Sequence, residues 1–165
     1  MTALGSCVSA CIRDPVAGVG GVNHFMLPHS DAGAWDTEAA SLRYGNFAMP
    51  RLINDILQQG GHSGRLEIKL FGGARLGGDR GRIGGLNVSF VERYLQGVGL
   101  PWVVAEVGGT VARRLIYMPV SGRAFVLELP AQTLLRQGDE PVHAKGQRMP
   151  PALQGGPGMP VTGAP

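Results

Sequence analysis

The sequence predicts an α+β fold: a layered α/β sandwich with a mixed, mainly antiparallel sheet and two main helices. Three observations predict it. Leu66, Ile68 and Leu70 alternate with Arg65, Glu67 and Lys69, the period of two that marks a half-buried strand. Runs of strand length rich in Val and Ile recur along the chain, separated by Gly, Pro and Asp turn signals. Two intervening segments carry apolar residues at the three-to-four-residue spacing of a helix.

The elements follow in order. Cys7–Ile12 and Val19–Leu27 read as strands joined by Asp14-Pro15 and Gly18, and so as an antiparallel hairpin. Phe47, Leu52, Ile53, Ile56 and Leu57 then keep helical spacing up to Gly60-Gly61, a normal C-terminal stop. Pro50 is expected in the first turn or so of that helix, where a missing N–H costs least. The alternating strand ends at Phe71-Gly72-Gly73. A second helix near Asn87–Gln96 places Val88, Val91 and Leu95 on one face and stops at Gly97 or Gly99. Trp102–Val107 supplies another strand, and Arg114–Met118 with Arg123–Leu129 flank Pro119-Val120-Ser121-Gly122 as a second hairpin.

With 165 residues, 44% of them hydrophobic, the chain has the size and apolar content of one globular domain. Residues 1–139 are expected to form it. The final twenty, Gly146–Pro165, hold five Gly and five Pro, no acid and one base, so 140–165 reads as a Gly/Pro-rich disordered tail. Two Cys cannot build a disulfide framework, and no charged start followed by an apolar run opens the chain. The apolar runs are strand-sized, which argues against membrane insertion and for a cytoplasmic protein. The formal net charge is +3, but the basic residues are scattered and not interleaved with aromatics, so no nucleic-acid partner is expected.

Thiol chemistry has few candidates: Cys7 or Cys11 with His24, His29, His62 or His143. The predicted hairpin brings Cys7 and His24 onto neighbouring strands, within reach of a thiol–imidazole pair. An adjacent imidazole takes the proton of a thiol that is mostly un-ionised at neutral pH, and later returns it to a leaving group. The bland alternative is a small buried hydrophobe and a satisfied strand histidine. Cys7, Cys11, His24 and His29 also fit the spacing of a zinc finger, but Pro28 and the glycines before His24 oppose the helix a finger needs. In a strand the two Cys would lie about 13 Å apart, too far for one ion, so no metal is expected. The glycines between Gly72 and Gly85 form neither a GxxxxGK[ST] loop nor a GxGxxG turn, so no phosphate site or cofactor is expected. They imply that backbone comes close to a neighbouring strand or a substrate.

Leu4-Gly5-Ser6-Cys7-Val8, Arg13-Asp14-Pro15 and Gly20-Gly21-Val22-Asn23-His24-Phe25-Met26-Leu27-Pro28 resemble, in that order, the CheD family of chemoreceptor glutamine deamidases. The resemblance continues through Arg43-Tyr44-Gly45, Lys69-Leu70-Phe71-Gly72-Gly73-Ala74, Ile83-Gly84 to Asn87, and Gly108-Gly109 with Arg113 and Arg114, covering about residues 3–129. It implies an α/β sandwich like that of the toxin deamidases and an amidohydrolase with Cys7 as nucleophile and His24 as base. It also implies glutamines of methyl-accepting chemoreceptors as substrate and, in some bacteria, a CheC-type phosphatase as partner. The protein is expected to be a monomer. The family's Thr that orients the His, six residues before the Cys, falls on Met1; Thr2 is one residue off and is not assigned the role. Val107 stands where the family has Asp and Leu86 where it has Arg. These departures motivate an alternative, a catalytically impaired module that docks on chemoreceptors or a CheC-type phosphatase without turnover.

Overall fold

Residues 1–29 and 41–130 are described by the computed structural model; the segment read as a tail, 140–165, lies outside them. Among the described residues seven strands and two helices follow in order: β1 (Thr2–Leu4), β2 (Val8–Asp14), β3 (Val19–Val22), α1 (Gly45–Gln58), β4 (Glu67–Gly72), α2 (Gly78–Gly97), β5 (Val104–Val107), β6 (Ala112–Met118) and β7 (Arg123–Leu129). Each predicted strand and helix has its counterpart, and the α+β layered architecture is as expected.

The strands divide into two sheets, one ordered β3-β2-β4-β5 and the other β1-β6-β7. All pairs are antiparallel except β4 with β5. The physical reason is legible in β2, which is buried on both faces and must be covered twice. Val8, Ala10 and Ile12 join Ile68 and Leu70 of β4 against Met49, Ile53 and Ile56 of α1 and Val91 and Leu95 of α2. Cys11 and Phe71 face the other way, against Leu4 of β1 and Leu115 of β6. The order of layers is therefore helices, four-stranded sheet, three-stranded sheet. Lys69 Nζ donates to Gly122 O at 2.8 Å and Arg13 to Val120 O at 3.0 Å, tying the four-stranded sheet to the β6–β7 turn.

Several elements differ in extent from the sequence reading. β1 was not predicted; it pairs with β6 in the register Thr2↔Leu115. Helix α2 starts at Gly78, well before the Asn87 near which the helix was expected to begin, and takes in several of the glycines. Gly84 is pressed on the end of β4 so closely that a Cβ there would stand 2.7 Å from Gly73 O, which is why this half of the helix shows no apolar stripe. Pro50 is the sixth residue of α1, one turn deeper than expected.

The β2–β3 turn is secured by Asp14, whose buried carboxylate accepts the N–H groups of Val16, Ala17 and His62 and pairs with Arg65 at 2.7 Å. Those bonds, the Arg65 guanidinium foremost, hold its pKa well below the usual carboxylate range. Among the described residues no helix is long and apolar enough to cross a membrane.

Candidate active site

Cys7 lies where the chain passes from one sheet to the other, between β1 and β2. Three successive carbonyls of this crossing are engaged: Gly5 O by Ala74 N at 2.8 Å, Ser6 O by Asn87 Nδ2 at 2.9 Å and Cys7 O by Gly73 N at 2.7 Å. Gly72 and Gly73 have φ of 102° and 68°, so the donors at the end of β4 depend on glycine. The close approach expected of these glycines is therefore to the backbone that carries Cys7, not to a phosphate.

His24 is set by an interruption in the strand partner of β2. Asn23 turns its side chain into the ladder, and its Oδ1 accepts the Ala10 N–H at 2.9 Å. Strand β3 consequently ends at Val22, short of the predicted Leu27. Pairing resumes at Phe25, which exchanges two backbone hydrogen bonds with Val8. Since Cys11 opposes Val22 and Val8 opposes Phe25, Ser9 opposes His24 and Cys7 is diagonal to it on the same face. Diagonal neighbours on such a ladder have Cα atoms ~7–8 Å apart, within reach of an imidazole. Cys7 packs on the cluster of Leu4, Cys11, Phe71 and Leu115, and His24 lines with Leu115 and Thr2 a cavity of about 90 Å³.

Thr2 completes the group. Its Oγ1 lies 2.7 Å from His24 Nδ1, so β1 of one sheet orients a residue carried by the other. The alternation along β1 explains this. Leu4 points into the space between the sheets, and Thr2, two residues earlier, points the same way. The sequence reading left Thr2 unassigned because the family offset falls on Met1; the inward phase fixed by Leu4 is the signal that would have found it.

Burial raises the Cys7 thiol above its ordinary value of 9.0, and its own backbone N–H, lying against the sulfur, offsets part of the effect. Burial also lowers His24 below 6.5, since packing around the ring disfavours the cation. Both shifts favour the neutral forms, thiol and imidazole, at neutral pH. On the far side of His24 a second cavity of about 280 Å³ runs past Val22, Leu42 and Leu52, with Arg51 and Asp55 at its edge.

Cys11 is fully buried, and burial pushes its thiol up to about 12, with Lys69 acting in the opposite direction. A group so protonated packs and does not attack. His62 caps the 3-10 turn Ser63–Arg65, its Nδ1 accepting from Gly64 N at 3.1 Å, and His29 follows Pro28 beyond the ladder; His143 lies outside the described residues.

The family described as CheD chemotactic sensory transduction matches residues 26–128. Thr2, Cys7 and His24 precede the first matched residue. The chain is 54% identical over 129 residues to a probable chemoreceptor glutamine deamidase CheD of Rhodopseudomonas palustris, covering 78% of this chain and 61% of the relative. It is 51% identical over 122 residues to the Caulobacter vibrioides protein of that name (74% and 64%), and 43% over 129 residues to that of Hahella chejuensis (78% and 61%). The chain thus spans little more than three fifths of the length of these relatives. A family match over most of the domain, carried on the fold described above, places the chain in the CheD family.

Proposed function

We propose that the protein is a chemoreceptor glutamine deamidase, an amidohydrolase that converts glutamine to glutamate through a thioester on Cys7. The observation that carries this reading is the hydrogen bond of Thr2 Oγ1 to His24 Nδ1, on the face that His24 shares with Cys7. For the imidazole to act as base its Nε2 must be unprotonated, so Nδ1 carries the hydrogen and donates it to the Thr2 oxygen. That is the tautomer the chemistry needs.

His24 takes the thiol proton as Cys7 Sγ attacks the carboxamide carbon, and the carbonyl becomes a tetrahedral oxyanion. Backbone N–H groups of the Gly5-Ser6-Cys7 turn are the donors suited to that oxygen, worth ~3 kcal/mol each by analogy with known oxyanion holes. The C–N bond then breaks, His24 returns the proton, and ammonia leaves. Water attacks the thioester with His24 again as base, releasing glutamate and the free thiol. Because both groups rest neutral, no buried ion pair has to be maintained between turnovers.

The substrate reading, methyl-accepting chemoreceptors, follows the names of the relatives and the sequence resemblance. A CheC-type phosphatase as second partner follows the sequence resemblance alone, and a cytoplasmic monomer is the working form proposed here. The alternative of an impaired docking module drew on the family Thr falling on Met1, and the Thr2 contact weakens it. Val107, at the end of β5, and Leu86, exposed on α2, remain as departures. Intact-mass measurement of a receptor fragment after incubation separates the two readings. Deamidation adds about one dalton per converted glutamine, and docking without turnover adds nothing.

A further inference from the structure

Asn87 is completely buried on α2, yet its contacts are not to its own layer. Its Nδ2 donates one hydrogen to Ser6 O at 2.9 Å and the other to Met26 O at 3.0 Å. Ser6 immediately precedes Cys7, and Met26 follows His24 by two residues. The rung between Val8 and Phe25 is the last on which the two segments exchange backbone bonds. Beyond it they part, since the Met26 and Leu27 N–H groups turn to Arg43 O. The Asn87 amide enters where the ladder opens and holds both strands through one nitrogen.

A space-filling role does not account for an amide here. Its Oδ1 is buried and takes no hydrogen bond among the described residues, a cost that an apolar side chain of the same shape would avoid. What Leu could not supply is the pair of donors. Two hydrogens on one planar nitrogen have a fixed angle between them, so the carbonyls they reach are held at a fixed separation.

We propose that Asn87 is a positioning residue for the reaction: it sets the spacing of Cys7 and His24 by bracing the two backbones that carry them. The effect on turnover rests on the deamidase reading; the effect on the dyad does not. A displacement of about 1 Å between reacting groups costs up to ~10²-fold in rate, so Asn87→Leu is expected to lower kcat on a receptor fragment by about that factor with KM changed less than about threefold.

The test that is independent of substrate is the pH profile of Cys7 alkylation by iodoacetamide, followed by intact mass in a Cys11→Ala background. The protein with Asn87 intact should react faster at pH 7–8 than its His24→Asn variant, the two converging where the thiol ionises unaided. Asn87→Leu, with its folded state verified by a cooperative urea transition, should shift to the His24→Asn profile. Loss of stability alone would not move that profile in folded protein. Asn87→Ser keeps one donor and should fall between; it carries the test if the Leu variant does not fold. An unshifted profile in the folded variant overturns the brace while leaving the deamidase reading in place. A profile that does not depend on His24 in the parent protein overturns the dyad, and the brace with it. Absence of turnover on receptor fragments, with a profile that depends on both His24 and Asn87, upholds the brace and overturns the substrate reading alone.

Discussion

Replacing Thr2 by Val removes one hydroxyl and little else. Val has the same branched shape and at least as strong a strand preference, so the pairing of Thr2 with Leu115 in β1 and β6 should persist. What is lost is the 2.7 Å contact with His24 Nδ1. A hydrogen bond of this kind contributes ~0.5–1.5 kcal/mol net. It matters most when the ring is charged, because the imidazolium of the transition state needs an acceptor at Nδ1 more than the neutral base does. The upper part of that range then applies to the barrier, and ~1.4 kcal/mol corresponds to a tenfold fall in kcat. KM should change little, since Thr2 is placed to act on the histidine rather than the substrate. Thr2→Ser keeps the oxygen and should stay within about threefold of the parent. Ammonia release from a receptor fragment, followed by a coupled glutamate dehydrogenase assay, reads both variants. Full kcat in Thr2→Val, or equal loss in the Ser and Val variants, would refute the claim that this hydroxyl orients His24.

Further outcomes follow from the same geometry. Cys7→Ala should abolish ammonia release while Cys11→Ala, at a buried thiol pushed up to about 12, leaves most of it, both measured in the same assay. His24→Asn should remove most turnover without unfolding the domain, and the rate of the parent should fall only at pH below the ordinary imidazole value, because burial lowers the pH at which the imidazole takes its proton. With the thiol raised and the imidazole lowered, the acid limb reports protonation of His24. His24 binds its proton less readily folded than unfolded, so it withdraws stability as pH falls below about 6.5. The urea midpoint of His24→Asn should therefore decline less between pH 7 and 5 than that of the parent. Asp14 contributes stability that is present above the ordinary carboxylate value and lost as pH falls through its much lower folded value. Asp14→Asn should lower the urea midpoint at pH 7 and flatten its acid dependence.

What the sequence discloses is what repeats at short range. The alternation around Ile68 announces β4, and the two hairpins follow from turn residues between β-branched runs. The division into two sheets was hidden because β2, buried on both faces, reads as one apolar run with no phase. β1 has only three residues, too few to show a period, and the glycines at the start of α2 serve close packing while reading as loop. That Cys7 and His24 lie on neighbouring segments was accessible because a hairpin register places them there. Thr2 was missed because an offset counted from the cysteine ignores which way the strand faces, and Leu4 settles that. Asn87 could not be assigned from local pattern, since a polar residue on a helix announces nothing until the carbonyls it meets, from positions 6 and 26, are brought together by the fold.

On the proposed mechanism Cys7, prepared by His24, forms a covalent acyl intermediate with a receptor glutamine. Intact mass of the protein, taken after mixing with an excess of receptor fragment and quenching in acid within the first turnovers, detects that intermediate. A fraction of the protein should carry the fragment less one ammonia, mapped to Cys7, retained in Cys11→Ala and absent in Cys7→Ala. Glutamate formed at an undiminished rate by Cys7→Ala, with no adduct on the parent protein, would contradict it.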